Sequence, residues 1–327
     1  MLLSAAVTTA DLLAFLADSG VDARVATPIA GDLSQRRYYR VELDDGARLL
    51  AASYPESLRP AMARFVTARS LLDGAGVRVP EIRLWSAARG WMLVEDLGPS
   101  TLYECGDVAP SRRTALFASA VESAGRISGL NAEAVEQLGN PPLDAVLLRR
   151  ELEPTFEFLL DPCGLRNLPR ERRELLAALD ELCGRLGDET LVPCHRDYMA
   201  RNLIPVGETI AVIDFQDLRL GPPAYDLASL LNDSFFPEPE LEAALLPRYW
   251  REPAGRAQYS RAVVQRTLKA GGTFARFAAQ GNPRHLPLVA PTLARAARHL
   301  EVLPETAALF PALRGWWASD LVRGRIC

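Results

Sequence analysis

Apolar residues recur with a helical period where the chain begins. Leu12, Phe15 and Leu16 share one face of a predicted helix that Thr8 or Thr9 can cap. The pattern then becomes strand-like, over residues 24–30, 37–43 and 48–53, and Asp44-Asp45-Gly46 between the last two is a strong hairpin signal. Met62, Phe65, Val66, Arg69 and Leu72 lie at helical spacing and predict a helix over 58–72, ending near Gly74. Two further strands, 82–85 and 91–95, flank the turn Ala87-Ala88-Arg89-Gly90, after which Asp96-Leu97-Gly98-Pro99-Ser100 breaks the pattern and reads as a linker. Beyond residue 100 long amphipathic stretches take over, at 111–130, 143–160, 170–186 and from 225 onward. Only the hairpin-like segment between 195 and 214 interrupts them. An antiparallel sheet with one helix, a short hinge and a mainly helical half predict a two-lobed α+β fold, with lobes at 1–97 and 98–327.

Composition narrows the function classes. The 327 residues are 49% hydrophobic and 24% charged, an ordinary balance for a globular protein, and suffice for two domains with buried cores. A net charge of −4 gives no support to nucleic acid or an anionic membrane as partner. No run of about 18 apolar residues spans a membrane, and the N-terminus lacks the basic start of a signal peptide. Five cysteines without a C-x-x-C pair (Cys105, Cys163, Cys183, Cys194, Cys327) predict reduced thiols in a cytoplasmic protein. Cys194 adjoins His195, but neighbours on a strand face opposite ways, so a packed thiol is expected rather than a nucleophile. Oligomeric state is marked by no pattern.

The candidate chemistry is concentrated between His195 and Asp214. Asp197 is followed five residues on by Asn202 and, twelve further, by Asp214. Between the last two lie the apolar segments Asn-Leu-Ile-Pro-Val and Ile-Ala-Val-Ile, joined across Gly207, so a hairpin is expected to bring Asn202 and Asp214 side by side. Two oxygen ligands suit Mg²⁺, which takes hard donors and keeps phosphate or water in its other positions. A third carboxylate, Asp197, can orient a substrate hydroxyl and accept its proton. These residues predict magnesium-nucleotide phosphoryl transfer to a substrate hydroxyl.

The set His195-Arg196-Asp197-x-x-x-x-Asn202, Ile213-Asp214-Phe215 and Gly221-Pro222-Pro223-x-Tyr225-Asp226-Leu227 resembles the aminoglycoside phosphotransferase and choline kinase family, relatives of protein kinases, essentially end to end. Within it, Gly31-Asp32-x-Ser34-x-Arg36-Arg37-Tyr38-Tyr39-Arg40, Asp214-Phe215-Gln216-Asp217 and the Pro-Pro-Ala-Tyr-Asp-Leu-Ala-Ser-Leu-Leu block are similar to the bacterial amino-sugar kinases of cell-wall recycling. That resemblance implies transfer to the anomeric hydroxyl of N-acetylmuramate or N-acetylglucosamine. Met199 departs from that branch, where His is expected. Aminoglycoside, choline or homoserine acceptors of the same family stay open, as does a nucleotide-binding pseudokinase without turnover.

Asp197 is accordingly the expected catalytic base, and Asn202 and Asp214 the expected metal ligands. His195 is expected to hold the catalytic loop by packing and hydrogen bonds. Asp226 either braces that loop, as the family resemblance implies, or caps the helix that follows. Ser34 and Gln35 can present backbone N–H groups to nucleotide phosphates, and Arg36 or Arg37 can meet phosphate oxygens bidentately. By analogy with the family, Glu95 and Leu97 contact adenine through their backbone. The family's lysine on the third strand is missing: the strand reads Leu49-Leu50-Ala51-Ala52-Ser53, and the only lysine of the chain is Lys269. The helix over 58–72 carries no acidic residue to pair with one.

Overall fold

The structure, a computed structural model, describes residues 8–29, 36–105, 109–233, 236–249 and 255–319. By its contacts the chain forms two compact units: residues 1–99 with 211–216, and residues 100–210 with 217–327.

In the first unit, α1 (Thr9–Asp18) starts at a reciprocal cap, in which the Thr8 hydroxyl accepts from the Asp11 N–H while the Asp11 carboxylate accepts from the Thr8 N–H. Strands β1 (Ala23–Ile29), β2 (Arg37–Leu43), β3 (Arg48–Ser53), β4 (Ile82–Ser86) and β5 (Trp91–Glu95) form one antiparallel sheet in the order β1-β2-β3-β5-β4. Gly46, at φ 81°, supplies the left-handed corner of the β2–β3 hairpin. Alternate residues on one face (Tyr39 and Val41, Leu49 and Ala51, Trp91 and Leu93) bury against Leu12, Phe15 and Leu16 of α1. Helix α2 (Pro60–Gly74) buries Met62, Phe65, Ala68 and Leu72. Its Phe65 ring stacks on Phe215 at 4.5 Å, and the Val212 N–H donates to the Arg78 carbonyl, which fastens the segment around Asp214 to this unit.

In the second unit, α3 (Pro110–Ser128), α4 (Ala132–Glu136), α5 (Ala145–Arg150) and α6 (Pro169–Gly187) precede the short strands β6 (Val192–Cys194), β7 (Leu203–Val206), β8 (Thr209–Val212) and β9 (Arg219–Gly221). Strand β8 runs from this unit into the first. Helices α7 (Tyr225–Asn232), α8 (Pro239–Tyr249), α9 (Gly255–Ala279), α10 (Val289–Val302), α11 (Pro304–Ala307) and α12 (Phe310–Trp317) follow. One helical stretch differs from expectation. Residues 143–160 are broken into α5, a turn, and a single π-helical segment, Thr155–Leu160. Pro154 has no N–H to continue the α5 ladder, so α5 ends with Glu151 as its C-cap. The Asp161 N–H then bonds the Phe156 carbonyl in the wider π register.

Helix α9 lies against this segment at Gly271 and Gly272. A Cβ on Gly272 would stand 2.5 Å from the Thr155 backbone nitrogen, and the Thr155 hydroxyl donates to the Leu268 carbonyl at 2.7 Å. Gly272→Ala is therefore expected to cost about 1–3 kcal/mol through overpacking, lowering Tm by several degrees in thermal unfolding. Gly184→Ala, whose Cβ meets open space, is the control and should leave Tm unchanged or slightly raised. A second expectation concerns Glu189, just after α6. Both its carboxylate oxygens are buried without a hydrogen-bond partner among the described residues, and burial pushes its carboxyl up to about 7 despite Arg261 nearby. A raised folded-state value means that the stabilisation from the bound proton is full below the ordinary 4.5 and is lost as pH rises through about 7. Melting curves of Glu189→Gln should thus lie above those of the wild type at pH 8, and the difference should vanish near pH 5.

Candidate active site

Strands β6 and β9 pair with Cys194 opposite Arg219, and a Cβ on Gly221 would stand 2.6 Å from the Cys194 sulfur. The thiol is thus packed, and burial pushes its pKa well up, so it does not serve as a nucleophile. His195 is fully buried, with its ring edge-on to Tyr198 at 5.6 Å. Its N–H donates to Asp226 Oδ2 at 2.6 Å, and the Arg196 N–H donates to Asp226 Oδ1 at 3.0 Å. Asp226 lies two residues inside α7, whose N-cap is Ala224, so its carboxylate ties the His195–Arg196 backbone and does not cap its own helix. Burial pushes the Asp226 carboxyl up to about 6, although His195 and the two N–H donors favour its charged form.

Those two bonds hold Arg196 at φ 76°, one of only two positive-φ non-glycine residues among those described. Asp197 follows directly. Its Oδ1 lies 3.1 Å from Arg266 and 3.7 Å from Lys269, and its Oδ2 lies 3.8 Å from Arg196. Burial alone would raise the Asp197 pKa, but Lys269, Arg266 and Arg196 outweigh it and hold the carboxyl well below the usual carboxylate range. The cations are themselves anchored. Arg266 pairs with Asp233 at 2.8 Å, while Arg196 reaches Glu151 at 2.9 Å and Asp217 at 3.0 Å. Lys269 lies 3.2 Å from Glu151, which also accepts from the Tyr225 hydroxyl at 3.3 Å. Asn202 donates its side-chain N–H to the Asp197 carbonyl at 2.8 Å. That bond assigns the amide nitrogen and leaves Oδ1 as the oxygen directed elsewhere. Asp197, Asn202, His195 and Asp226 are thus brought together within the second unit.

Glu151, Arg266 and Lys269 were not singled out by motif. A signal for two of them exists, because Arg266 and Lys269 stand three apart on a helix otherwise lined by Val263, Val264, Leu268 and Ala270. Charged side chains on an apolar face need partners.

The first unit holds the remaining candidates. Asp214 is the second positive-φ residue, at 63°, and its Oδ1 accepts from Gln216 at 2.8 Å and lies 3.5 Å from Arg36. The Arg36 guanidinium also lies over the Tyr38 and Tyr54 rings, whereas Arg37 opens β2 as an exposed residue opposite Ser53. Burial opposes the charge on Arg36, but Tyr38, Tyr54 and Asp214 raise its pKa overall. Ser34 and Gln35 lie outside the described residues. The Glu95 carboxylate pairs with Arg78, and its N–H donates to the Glu81 carbonyl at 2.9 Å, so a base contact through Glu95 has only its carbonyl to use. Leu97 stands two residues beyond β5, between Asp96, paired with Arg40 at 2.6 Å, and Gly98, at φ 112°. Asp73, in the last turn of α2, pairs with Arg69 on its own helix. Among the described residues no cluster of three or more His, Cys, Asp or Glu forms a metal cage. An ion completed by phosphate oxygens does not need one.

The sequence matches the model of the phosphotransferase enzyme family over residues 25–262. An N-acetylmuramate/N-acetylglucosamine kinase of Pseudomonas aeruginosa is 34% identical over 281 residues, 79% of each chain. A protein of the same name from Pseudomonas putida is 31% identical, with 81% of this chain and 80% of that one covered. Among solved structures, a choline/ethanolamine kinase family protein from Mesorhizobium loti superposes with a TM-score of 0.60 at 19% identity, covering 94% of this chain and 98% of that one. The fold is that of the kinase-like phosphotransferases, and the chain belongs to the phosphotransferase enzyme family.

Proposed function

We propose that the protein transfers the γ-phosphoryl group of ATP to the anomeric hydroxyl of N-acetylmuramate and N-acetylglucosamine, a step of peptidoglycan recycling in the cytoplasm. The observation that carries this reading is the Asp197 carboxylate, kept ionised by three cations and tied through its carbonyl to Asn202. Phosphoryl transfer passes through a loose transition state, so its base mainly orients the hydroxyl, and an aspartate of low basicity suffices. The acceptor assignment follows the names of the relatives.

In this reading residues 1–97 form the nucleotide-binding lobe and 98–327 the lobe that carries the acceptor. Arg36 takes over part of the phosphate contact that the missing third-strand lysine makes elsewhere in the family. Ser34 and Gln35 offer backbone N–H groups to the phosphates, Arg37 at the start of β2 is a second cation for them, and the backbone of Glu95 and Leu97 meets adenine. Asn202 Oδ1 and the Asp214 carboxylate are hard oxygen donors that fit Mg²⁺, and they would hold it. Bound there, the ion would supply charge neutralisation at the phosphate oxygens. The chain's own residues bind and aim the acceptor: Asp197 receives the hydroxyl proton, and Asp226 fixes the backbone that presents Asp197. A protein that binds nucleotide without turnover is the second reading, favoured by the strand Leu49-Leu50-Ala51-Ala52-Ser53.

A coupled ADP assay over a panel of sugars and amino alcohols tests the acceptor. Turnover of N-acetylmuramate is expected; turnover of kanamycin-like acceptors alone, or nucleotide binding without any turnover, would refute the reading. Asp197→Asn should lower kcat by about 10²–10⁴-fold, as expected for loss of a positioned base. Arg36→Ala should reduce kcat/KM for ATP about tenfold or more, the scale of one lost charge-assisted contact. Arg37→Ala should stay within about threefold, like other exposed charges. Equal effects of the two arginine variants would count against the role given to Arg36.

A further inference from the structure

The three cations around Asp197 are not equivalent. Arg266 is only 2% exposed and divides itself between Asp233 and Asp197, and Arg196 spans Glu151 and Asp217 with Asp197 at its margin. Lys269 differs from both. Its Nζ is buried and, among the described residues, has only two carboxylate oxygens as close partners, Glu151 Oε2 at 3.2 Å and Asp197 Oδ1 at 3.7 Å. A buried ammonium is retained by the carboxylates that compensate it, and its charge acts on both. Glu151 already has Arg196 at 2.9 Å and the Tyr225 hydroxyl at 3.3 Å. The Asp197 carboxylate is then held unevenly. Arg266 and Lys269 both face Oδ1, and among the described residues Oδ2 has only the cation Arg196, at 3.8 Å, while the Asp197 side chain is about a quarter exposed.

We propose that Lys269, anchored by Glu151, is a positioning residue that holds the Asp197 carboxylate by Oδ1 and leaves Oδ2 as the oxygen that meets the acceptor hydroxyl. The inference rests on Asp197 being the base. In the step, the acceptor oxygen forms its bond to the γ-phosphorus as the bond to the β-phosphate oxygen breaks. The electron pair of that broken bond leaves with ADP, and the acceptor proton passes to Asp197 Oδ2 and later to water. Lys269 exchanges no proton. It does not touch the acceptor either, so its effect should be the same for a sugar with a carboxylate and for one without.

The experiment compares Lys269→Met and Lys269→Arg with the wild type, using the full chain, Mg-ATP, and N-acetylmuramate and N-acetylglucosamine in parallel. Wild-type turnover that is lost in Asp197→Asn is established first. Its absence would overturn the proposed function, whereas its presence with an unaffected Lys269→Met would overturn this inference alone. The expected result for Lys269→Met is a kcat about 10–100-fold lower on both sugars, with KM for ATP and for each sugar within about threefold, the split that marks an interaction felt in the transition state. Lys269→Arg should recover most of the loss. A decrease confined to N-acetylmuramate, or one carried by the sugar KM, would make Lys269 a reader of the substrate and refute the proposal, as would a Lys269→Arg no better than Lys269→Met. If Lys269→Met does not fold because buried Glu151 loses one of its two cations, the neutral pair Glu151→Gln with Lys269→Met carries the same expectation.

Discussion

Charge compensation around one carboxylate organises the second unit. As the proposed base Asp197 must be ionised to accept a proton, yet it lies where burial favours its neutral form. Arg196, Arg266 and Lys269 reverse that preference, and Glu151, Asp217 and Asp233 in turn anchor the cations. The set is closed, in that each buried charge answers another. Removing one member leaves an uncompensated partner, at a cost on the order of 3–5 kcal/mol for a fully buried pair. The helix break at Pro154 contributes directly, because it ends α5 at Glu151 and so delivers that carboxylate to the cluster.

Backbone strain falls beside or at the proposed catalytic and metal-holding residues. Arg196 and Asp214 are the two described non-glycine residues in the left-handed region, where a side chain costs about 1–2 kcal/mol. Each is over-determined by its surroundings. Asp226 takes both N–H groups of the His195–Arg196 segment, and the Phe65–Phe215 stack with the Val212–Arg78 bond grips the chain on either side of Asp214. Asp197 in one unit lies immediately beside a strained residue, and Asp214 in the other is itself one.

Much of this was legible in the residues. The Asp44-Asp45-Gly46 turn, the alternation of β2 and β3, and the Leu12–Phe15–Leu16 face of α1 are local patterns, and local patterns give local elements. The resemblance carried by His195 to Asp226 likewise led to the family. What sequence reasoning missed is non-local. Glu151 lies 46 residues before Asp197 and Lys269 lies 72 after it, and no spacing rule links them. The π-helical segment was missed for another reason: its apolar residues, Phe156, Leu159 and Leu160, fit an α-helical period equally well, and only Pro154 hinted at the break. Asp226 shows a third kind of limit. Brace and N-cap predict the same residue at the same place, and only the partners of its oxygens tell them apart.

The missing third-strand lysine can be understood from the same electrostatics. Cationic charge in this chain is almost wholly arginine, with Lys269 the single exception. A lysine on β3 would occupy a strand whose residues are mostly buried, with no acidic partner on α2 except Asp73, which Arg69 already engages. An unpaired ammonium there would be expensive. Arg36 avoids that cost by lying over two tyrosine rings beside Asp214, where its flat, weakly hydrated guanidinium keeps its charge. Lys269, like Arg196 and Arg266, is matched instead by two carboxylates. A cation in this chain is thus placed by the groups that compensate it, whether those are aromatic faces or carboxylates, and not by whether it is arginine or lysine.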